Sequence, residues 1–240
     1  MKKTALITGA NKGIGFEIAR QLGRDFGFTV LIGARNKSRG EEAVQTLKTE
    51  GLDARFVQLD VTDETSIQKA AQHVEADFGA LDVLVNNAGI AKGVPVSSET
   101  TTEMLRETYE TNVFGPVAMI RAFLPLLKKA EAARIVNVSS TVGSLTLQSD
   151  PNWEFYAHKF LAYSSSKSAL NSVTVHFAYD LRDTPIKVNS ACPGFTATDL
   201  NGHRGYRTVE QGAIAPVRLA TLPADGPTGQ FFEEDGPVAW

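Results

Sequence analysis

The chain has 240 residues, of which 42% are hydrophobic and 21% charged, and its net charge is −3. This length and balance indicate one globular domain over residues 1–240, since open α/β sheets of that size commonly share one core. Acids and bases are interleaved, which excludes the basic stripe of a nucleic-acid-binding protein, and no apolar run approaches the ~18 residues of a membrane helix. The single Cys192 excludes an internal disulfide and predicts a cytoplasmic protein.

Short apolar runs rich in Val, Ile and Leu recur along the chain, near-continuous rather than alternating. The runs are 4–9, 29–35, 54–60, 81–89, 133–140 and 186–194. Such runs are typical of strands buried on both faces of a parallel sheet. Amphipathic segments of helical length separate them, so the sequence predicts a Rossmann-type, doubly wound α/β fold with helices on both faces. The first strand should be central, ligands should bind at the carboxyl edge, and residues 222–240 should form a last strand and tail.

A glycine-rich loop, "TGANKGIG", follows the first strand and contains Gly9, Asn11, Gly13 and Gly15. Its glycines permit a tight turn and a close approach of the backbone to a pyrophosphate. The helix that begins near Ile14 would direct its positive end at the phosphates. The sequence therefore predicts a dinucleotide site, and not a P-loop, because no Gly-Lys-Ser/Thr follows.

Two cations lie where the adenosine ribose of such a dinucleotide would bind. Arg35 ends the second strand, where an acidic residue would grip the ribose hydroxyls of NAD, and Lys12 lies in the loop. Two cations at this place can bind a 2′-phosphate, which predicts NADPH/NADP+ as the cofactor. The alternative is that both are ordinary solvated charges. Asp60, followed by Val61, ends the third strand, where it could accept from the adenine amino group or cap the next turn.

Three further strands end in polar residues that a strand does not need. They are "NNAG" (86–89), "NVSS" (137–140) and "CPGFTATD" (192–199). Asn87, Ala88 and Gly89 would lie close to the cofactor, although either Asn86 or Asn87 could instead stabilise strand ends. The NVSS motif places two serines, the second of them Ser140, above the crevice.

Tyr163 and Lys167 in "AYSSSK" lie four residues apart in a segment with apolar residues near helical spacing, and so share one helix face. A phenol with a pKa of ~10 is a poor acid or base at neutral pH. A cation ~4 Å away contributes on the order of 4 kcal/mol at an effective dielectric constant of ~20, which would lower that pKa by a few units. The spacing therefore predicts a tyrosine tuned for general acid/base catalysis.

These motifs, in this order and with "TNVFG" (111–115), resemble the short-chain dehydrogenases/reductases over essentially the whole chain. More narrowly, "GANKGIG", "LDVLVNNAGIA" and the ending "LPADGPTGQFFEEDGPVAW" are similar to the carbonyl-reductase branch. The resemblance implies NADPH-dependent reduction of aldehydes and ketones to alcohols, with a small-molecule carbonyl compound as substrate.

The resemblance also implies catalytic roles for four residues. Ser140 would hydrogen-bond the substrate carbonyl oxygen, and Tyr163 would donate the proton. Lys167 would hold the nicotinamide ribose and lower the pKa of Tyr163. Asn112 would hold a water that links Lys167 to solvent.

Further cofactor contacts are implied in the turn after the sixth strand, at Pro193, Gly194 and Thr196, the last of which would contact the nicotinamide carboxamide. The long helix that carries Asn112 also contains "GP" at 115–116, which predicts a kink that frees backbone carbonyls. The four histidines have no metal-ligand spacing, so no metal is predicted.

A short insert near 145–160 precedes the catalytic helix. Its Trp153 could line an apolar substrate pocket, or it could pack onto the scaffold. Phe195 follows the "CPG" turn near the expected nicotinamide, and for this residue a pocket role is favoured. In this branch the insert tends to cover the helix face used for dimerisation elsewhere. Because this insert is shorter than the longest ones, monomer and homo-oligomer stay open, with the monomer slightly favoured.

Two alternative functions stay open. A 3-oxoacyl-type ketoreductase uses the same chemistry, and a non-catalytic NADP(H)-binding regulator uses the same scaffold, although it need not keep Ser, Tyr and Lys together. Leu170 argues against an enoyl reductase, in which the tyrosine and lysine are more widely spaced. The absence of a G-x-S-x-G elbow argues against Ser140 as a hydrolase nucleophile.

Overall fold

The first strand lies inside one eight-stranded sheet, as predicted. The computed structural model describes residues 2–240, and its strands lie in the order β3-β2-β1-β4-β5-β6-β7-β8. The strands are β1 (Thr4–Thr8), β2 (Thr29–Ala34), β3 (Ala54–Gln58), β4 (Val83–Asn86), β5 (Arg134–Val138), β6 (Lys187–Ala191), β7 (Phe231–Glu233) and β8 (Gly236–Pro237). All neighbours are parallel except β7 and β8. The winding reverses between β1 and β4, which confirms the Rossmann-type order.

Helices connect the strands. They are α1 (Gly13–Phe26), α2 (Lys37–Thr49), α3 (Glu64–Phe78), α4 (Thr102–Tyr109), α5 (Gly115–Leu127), α6 (Leu145–Gln148), α7 (Leu161–Asp180) and α8 (Val209–Ala220). Side-chain caps fix several starts: the Asn36 side chain accepts from the Arg39 backbone N–H at 3.0 Å at the start of α2. A π-helical turn, Glu110–Phe114, joins α4 to α5, so the irregularity predicted beside 115–116 lies just before that pair.

Helices cover both faces of the sheet, and successive residues of β1 point into the two cores. Ile7 packs with Ile18 and Leu22 of α1 on one face. Leu6 packs with Phe123 of α5 on the other. All five residues of β1 are buried, as their near-continuous apolar run predicted. The sheet therefore holds its carboxyl edge between two apolar layers.

Most strands are shorter than the apolar runs that predicted them. The run 81–89 forms a strand only as far as Asn86, and the run 186–194 only from Lys187 to Ala191. The residues beyond these ends leave the sheet as loops at its carboxyl edge. The predicted last strand is two short strands, and the tail is fixed by Trp240, whose ring stacks on Phe231 with centroids 5.7 Å apart. No helix within residues 2–240 is long and apolar enough to cross a membrane.

Candidate active site

The glycine loop between β1 and α1 has the backbone that its sequence predicted. Gly9 and Gly13 have φ values of 65° and 59°, in the left-handed region that favours glycine. A Cβ on Gly9 would lie 3.0 Å from the Cα of Ala88, and a Cβ on Gly15 would lie 2.3 Å from Nδ2 of Asn87. The loop therefore brings bare backbone to the start of α1, where phosphates bind favourably.

The loop after β4 is fastened to the end of β1 by Thr8. Its hydroxyl accepts from the backbone N–H groups of Asn87 at 3.0 Å and Ala88 at 2.9 Å. The Asn87 side chain donates to the Thr8 carbonyl at 2.9 Å. Sequence reasoning missed Thr8, although a hydroxyl residue just before the first glycine of the loop was an available signal.

Asn86 has the structural role that the sequence left open for one of the pair. Its amide donates to Oδ1 of Asn137 at 2.8 Å, and Asn137 donates to the Thr174 hydroxyl at 2.8 Å. Thr174 lies 2.8 Å from the hydroxyl of Ser190. This buried chain of polar groups joins the ends of β4, β5 and β6 to α7, so Asn86 is the one of the pair that stabilises strand ends, and the cofactor contact of Asn87 stays a prediction.

The side chain of Asp60 caps the turn after β3, which the sequence offered as an alternative to binding adenine. Its Oδ1 accepts from the backbone N–H of Thr62 at 3.0 Å and from the Thr62 hydroxyl at 2.7 Å, so the carboxylate caps the turn after β3. Val61 lies against α5, because a Cβ on Gly115 would be 2.9 Å from the Val61 carbonyl oxygen. Asp60 thus has the turn-capping role that the sequence offered, and its contact with adenine stays a prediction.

The two predicted cations differ in their surroundings. Lys12 forms an ion pair with Asp199, from the loop after β6, and it lines a cleft of about 560 Å³ together with Asn11, Arg39 and Glu42. Arg35 is exposed at the end of β2, and its carbonyl accepts from Gln58 at 2.7 Å. Arg39 is a cation that sequence reasoning missed, because its approach to the glycine loop depends on how α2 packs.

Ser140, Tyr163 and Lys167 meet at the carboxyl edge of β5. Ser140 begins a short 3₁₀ turn (Thr141–Gly143), and Tyr163 and Lys167 lie on successive turns of α7. The Lys167 ammonium group donates to the Val138 carbonyl at 2.8 Å and lies 5.6 Å from the centre of the Tyr163 ring. The structure thus brings together the three residues that the motifs predicted.

Gly143 lets α7 come this close to the turn after Ser140. A Cβ at Gly143 would lie 2.7 Å from the Cβ of Lys167 and 2.8 Å from its backbone carbonyl carbon. The Ser168 hydroxyl donates to the Gly143 carbonyl at 2.8 Å across the same contact. Only a residue without a Cβ fits here, and sequence reasoning did not identify it.

Asn112, in the π-helical turn, is buried and its side chain is fully engaged. Oδ1 accepts from the Ile90 backbone N–H at 2.9 Å, and Nδ2 donates to the Ile90 carbonyl at 2.9 Å and to the Ser166 hydroxyl at 3.0 Å. A Cβ on Gly89 would lie 3.4 Å from Oδ1 of Asn112 and 3.7 Å from Nζ of Lys167. Asn112 therefore positions the loop after β4 beside Lys167, while the predicted water stays a prediction.

The net fall in the pKa of Tyr163 that the spacing predicted does not occur in this structure, because burial outweighs it. Burial raises the pKa of the Tyr163 phenol, the Cys192 sulfur adds to the rise, and a hydrogen bond with Ser140 acts in the opposite direction. Burial also lowers the pKa of Lys167 to about 8. The spacing argument placed the two groups on one helix face but could not include their desolvation.

Aromatic side chains connect the insert to the loop after β6. Phe155 lies 5.6 Å from Trp153 and 6.1 Å from Phe195, and Phe195 lies 5.9 Å from Tyr206, all as ring centroids in edge-to-face geometry. Of these, Tyr206 is exposed and the other three are half-buried. Trp153 and Phe195 are thus joined through Phe155, which the sequence had included in the same insert.

The turn after β6 is compact. The Thr196 hydroxyl donates to the Pro193 carbonyl at 3.0 Å, and its backbone N–H donates to the Gly194 carbonyl at 2.9 Å. Cys192 is buried and its sulfur accepts from the Gly194 N–H at 3.3 Å.

Within residues 2–240, no group of three or more His, Cys, Asp or Glu side chains could hold a metal ion.

The chain is similar to known proteins over essentially its whole length. The family model described as short chain dehydrogenase matches residues 3–207. The chain is 39% identical to (+)-neomenthol dehydrogenase of Arabidopsis thaliana, over 95% of each chain, and 36% identical to carbonyl reductase [NADPH] 1 of Rattus norvegicus, over 100% of this chain and 99% of the other. Among solved structures, NADPH-bound carbonyl reductase from chicken fatty liver superposes with a TM-score of 0.85 at 30% identity, over 100% of this chain and 99% of the other.

Proposed function

Because the chain belongs to the short-chain dehydrogenase/reductase family, we propose that it reduces aldehyde and ketone carbonyls to alcohols with NADPH, and that Tyr163 is the general acid. The observation that carries this proposal is the meeting of Ser140, Tyr163 and Lys167 at the carboxyl edge of the sheet, beside the glycine loop. Parallel α/β sheets bind their ligands at this edge.

The relatives confirm the predicted carbonyl-reductase branch and the oxidoreductase class. They also support the predicted NADPH/NADP+ cofactor, since both the rat relative and the chicken structure are named with NADPH. The single domain, the cytoplasmic location and the oligomeric state stay predictions.

The residues present fit a dinucleotide with a 2′-phosphate. Gly9 and Gly15 keep the loop close to Ala88 and Asn87, where a Cβ would overlap, and the N-terminus of α1 faces the same loop. Lys12 and Arg39 line the adjoining cleft and supply positive charge. The nicotinamide of the bound cofactor would supply the hydride.

Tyr163 supplies the proton in this proposal. Its raised pKa keeps the phenol protonated at neutral pH, so it is available as an acid. Ser140 donates to the substrate carbonyl oxygen and orients it toward the phenol. When Tyr163 has given up its proton, the nearby Lys167 ammonium stabilises the phenolate, by on the order of 3 kcal/mol at ~6 Å and an effective dielectric constant of ~20.

The test is a panel of aldehydes, ketones and quinones assayed in parallel with NADPH and NADH, on the wild type and Tyr163→Phe. We expect the wild type to oxidise NADPH, and Tyr163→Phe to lose several orders of magnitude in kcat while binding NADPH nearly as well. Tyr179→Phe is the matched control, because Tyr179 is an exposed tyrosine on the same helix. Turnover retained in Tyr163→Phe would reject the general-acid role.

Two other functions correspond to other outcomes of this panel. Tight NADPH binding without turnover of any free carbonyl compound would favour a non-catalytic NADP(H)-binding regulator. Turnover confined to 3-oxoacyl groups on a carrier protein would favour a 3-oxoacyl-type ketoreductase.

A further inference from the structure

Lys12 is held by an acidic residue from a distant part of the chain. Its ammonium group forms an ion pair with the carboxylate of Asp199, and the other oxygen of that carboxylate lies 2.8 Å from Nε2 of His203. These contacts hold the pKa of Asp199 below its usual value, with Lys12 as the larger cause and His203 the smaller. Asp199 is therefore a full negative charge beside the glycine loop at neutral pH.

The cleft that Lys12 lines is balanced in charge. Two cations, Lys12 and Arg39, and two carboxylates, Asp199 and Glu42, line it. Glu42 accepts a hydrogen bond from the Ser38 hydroxyl at 3.1 Å within α2. A site built only to attract a 2′-phosphate would have no use for these acids, because a carboxylate repels a phosphate.

We infer that Asp199, with a smaller contribution from Glu42, sets the preference between NADPH and NADH by opposing the 2′-phosphate. The inference rests on the proposed function, in which this cleft receives the adenosine end of the cofactor. Asp199 opposes the phosphate in two ways: its charge repels the phosphate directly, and Lys12 must exchange its carboxylate partner for the phosphate. NADH has no 2′-phosphate, so the exchange of partners acts on NADPH alone, and the direct repulsion is stronger for NADPH because it carries one more phosphate group.

Neutralising Asp199 should leave its loop folded. The 3₁₀ turn Asp199–Asn201 is fixed by its neighbours: Oδ1 of Asn201 accepts from the Thr198 N–H at 3.2 Å, and Nδ2 of Asn201 donates to the Thr196 carbonyl at 2.8 Å. The Asp199 side chain is 56% exposed and takes no part in these two bonds. Asp199→Asn therefore changes charge with little change in shape.

The experiment measures the dissociation constants of NADPH and NADH, from the fluorescence of the bound reduced nucleotides, for the wild type, Asp199→Asn and Glu42→Gln. Asp199 is exposed and solvent screens its charge, so we expect Asp199→Asn to bind NADPH only about 3- to 10-fold more tightly. The affinity for NADH should change less than about twofold. Glu42→Gln should also tighten the binding of NADPH relative to NADH, but by a smaller factor.

Asp183→Asn is the matched control. Asp183 is 85% exposed and precedes β6, at the amino edge of the sheet, so its removal changes the net charge equally but far from the cleft. As a probe of the 2′-phosphate, 2′,5′-ADP should gain affinity in Asp199→Asn, whereas 5′-AMP, which lacks only that phosphate, should change little. The gains should shrink at high salt.

The inference would be overturned if the affinity for NADPH relative to NADH is unchanged in Asp199→Asn, or if it decreases. A decrease would mean that Asp199 orients Lys12 for the phosphate. An equal gain in Asp183→Asn would also overturn it, because net charge would then be the cause. The proposed function fails by a different result, namely a wild type that binds neither nucleotide or that binds NADPH and never turns over a carbonyl compound.

Discussion

The ammonium group of Lys167 donates a hydrogen bond to the backbone carbonyl of Val138, at 2.8 Å. This bond ties α7 to the end of β5, two residues before Ser140, and it keeps a cation in a buried site. Burial disfavours the charged form of a lysine, and this is why the pKa of Lys167 falls to about 8. The group that should hold the nicotinamide ribose therefore titrates close to physiological pH.

We expect the affinity for NADPH to decrease as the pH rises through about 8, because Lys167 then loses its positive charge and with it the charge-assisted hydrogen bonds to the ribose. The raised pKa of Tyr163 keeps that phenol neutral over the same range. The measurement is kcat/KM for NADPH between about pH 6 and pH 10, which reports groups of the free enzyme.

Lys167→Arg is the diagnostic variant for this profile, because arginine keeps its charge throughout the range. Its alkaline limb should move to higher pH even if its overall rate is lower. An alkaline limb that is identical in the wild type and in Lys167→Arg would assign the titration to another group.

The pairing of Tyr163 with Lys167 was predictable because it depends only on helical spacing, and the glycine loop because it directly follows a buried strand. The ion pair of Lys12 with Asp199 was not predictable, since these residues are 187 positions apart in sequence and meet through the course of the loop after β6. The same limit explains the wrong prediction for Tyr163: its pKa depends on desolvation by residues from other elements.

Gly143→Ala should impair catalysis although it replaces none of Ser140, Tyr163 and Lys167. The new methyl would overlap Cβ and the backbone of Lys167, so α7 has to move away from Ser140. Overpacking of this kind costs about 1–3 kcal/mol of stability, and a displacement of ~1 Å between reacting groups can cost ~100-fold in rate. We expect kcat to fall about 10- to 100-fold, measured together with Tm.

Gly23→Ala is the control for Gly143→Ala. Gly23 also lies in a helix, α1. A Cβ added there would meet only the Leu52 side chain, at 3.4 Å, which is an ordinary van der Waals contact. Its kcat should match the wild type. An active Gly143→Ala enzyme with an unchanged Tm would contradict the tight contact with α7.

Asn112→Ala should loosen the loop after β4. Without the amide, the backbone N–H and carbonyl of Ile90 lose their Asn112 partners, and an unsatisfied buried group costs about 1–3 kcal/mol. Because this loop carries Ala88 and Gly89, we expect KM for NADPH to rise together with a lower Tm. Asn112→Asp keeps the acceptor for the Ile90 N–H but sets an oxygen against the Ile90 carbonyl, so it should lower Tm as well. A large loss of kcat with KM and Tm unchanged would instead favour the predicted water-holding role.

Phe155→Ala should change substrate selection and leave the cofactor alone. Phe155 is the ring that joins Trp153 to Phe195, and each aromatic pair contributes about 0.5–1.5 kcal/mol beyond its buried area. If these rings wall the substrate pocket, kcat/KM for aryl ketones should fall about 10-fold. The values for small aliphatic aldehydes, and the affinity for NADPH, should remain near those of the wild type.

The measurement is kcat/KM over a series of carbonyl compounds of increasing apolar size, with Tm recorded for every variant. Tyr156→Ala is the control, because Tyr156 lies in the same insert but its ring is exposed and contacts the Lys159 ammonium group at 4.2 Å. If the rings only pack the insert onto the scaffold, Phe155→Ala should lower Tm and reduce kcat/KM equally for large and small substrates. The ratio between aryl ketones and aliphatic aldehydes thus distinguishes a pocket wall from a packing cluster, because a general loosening of the insert lowers both values together.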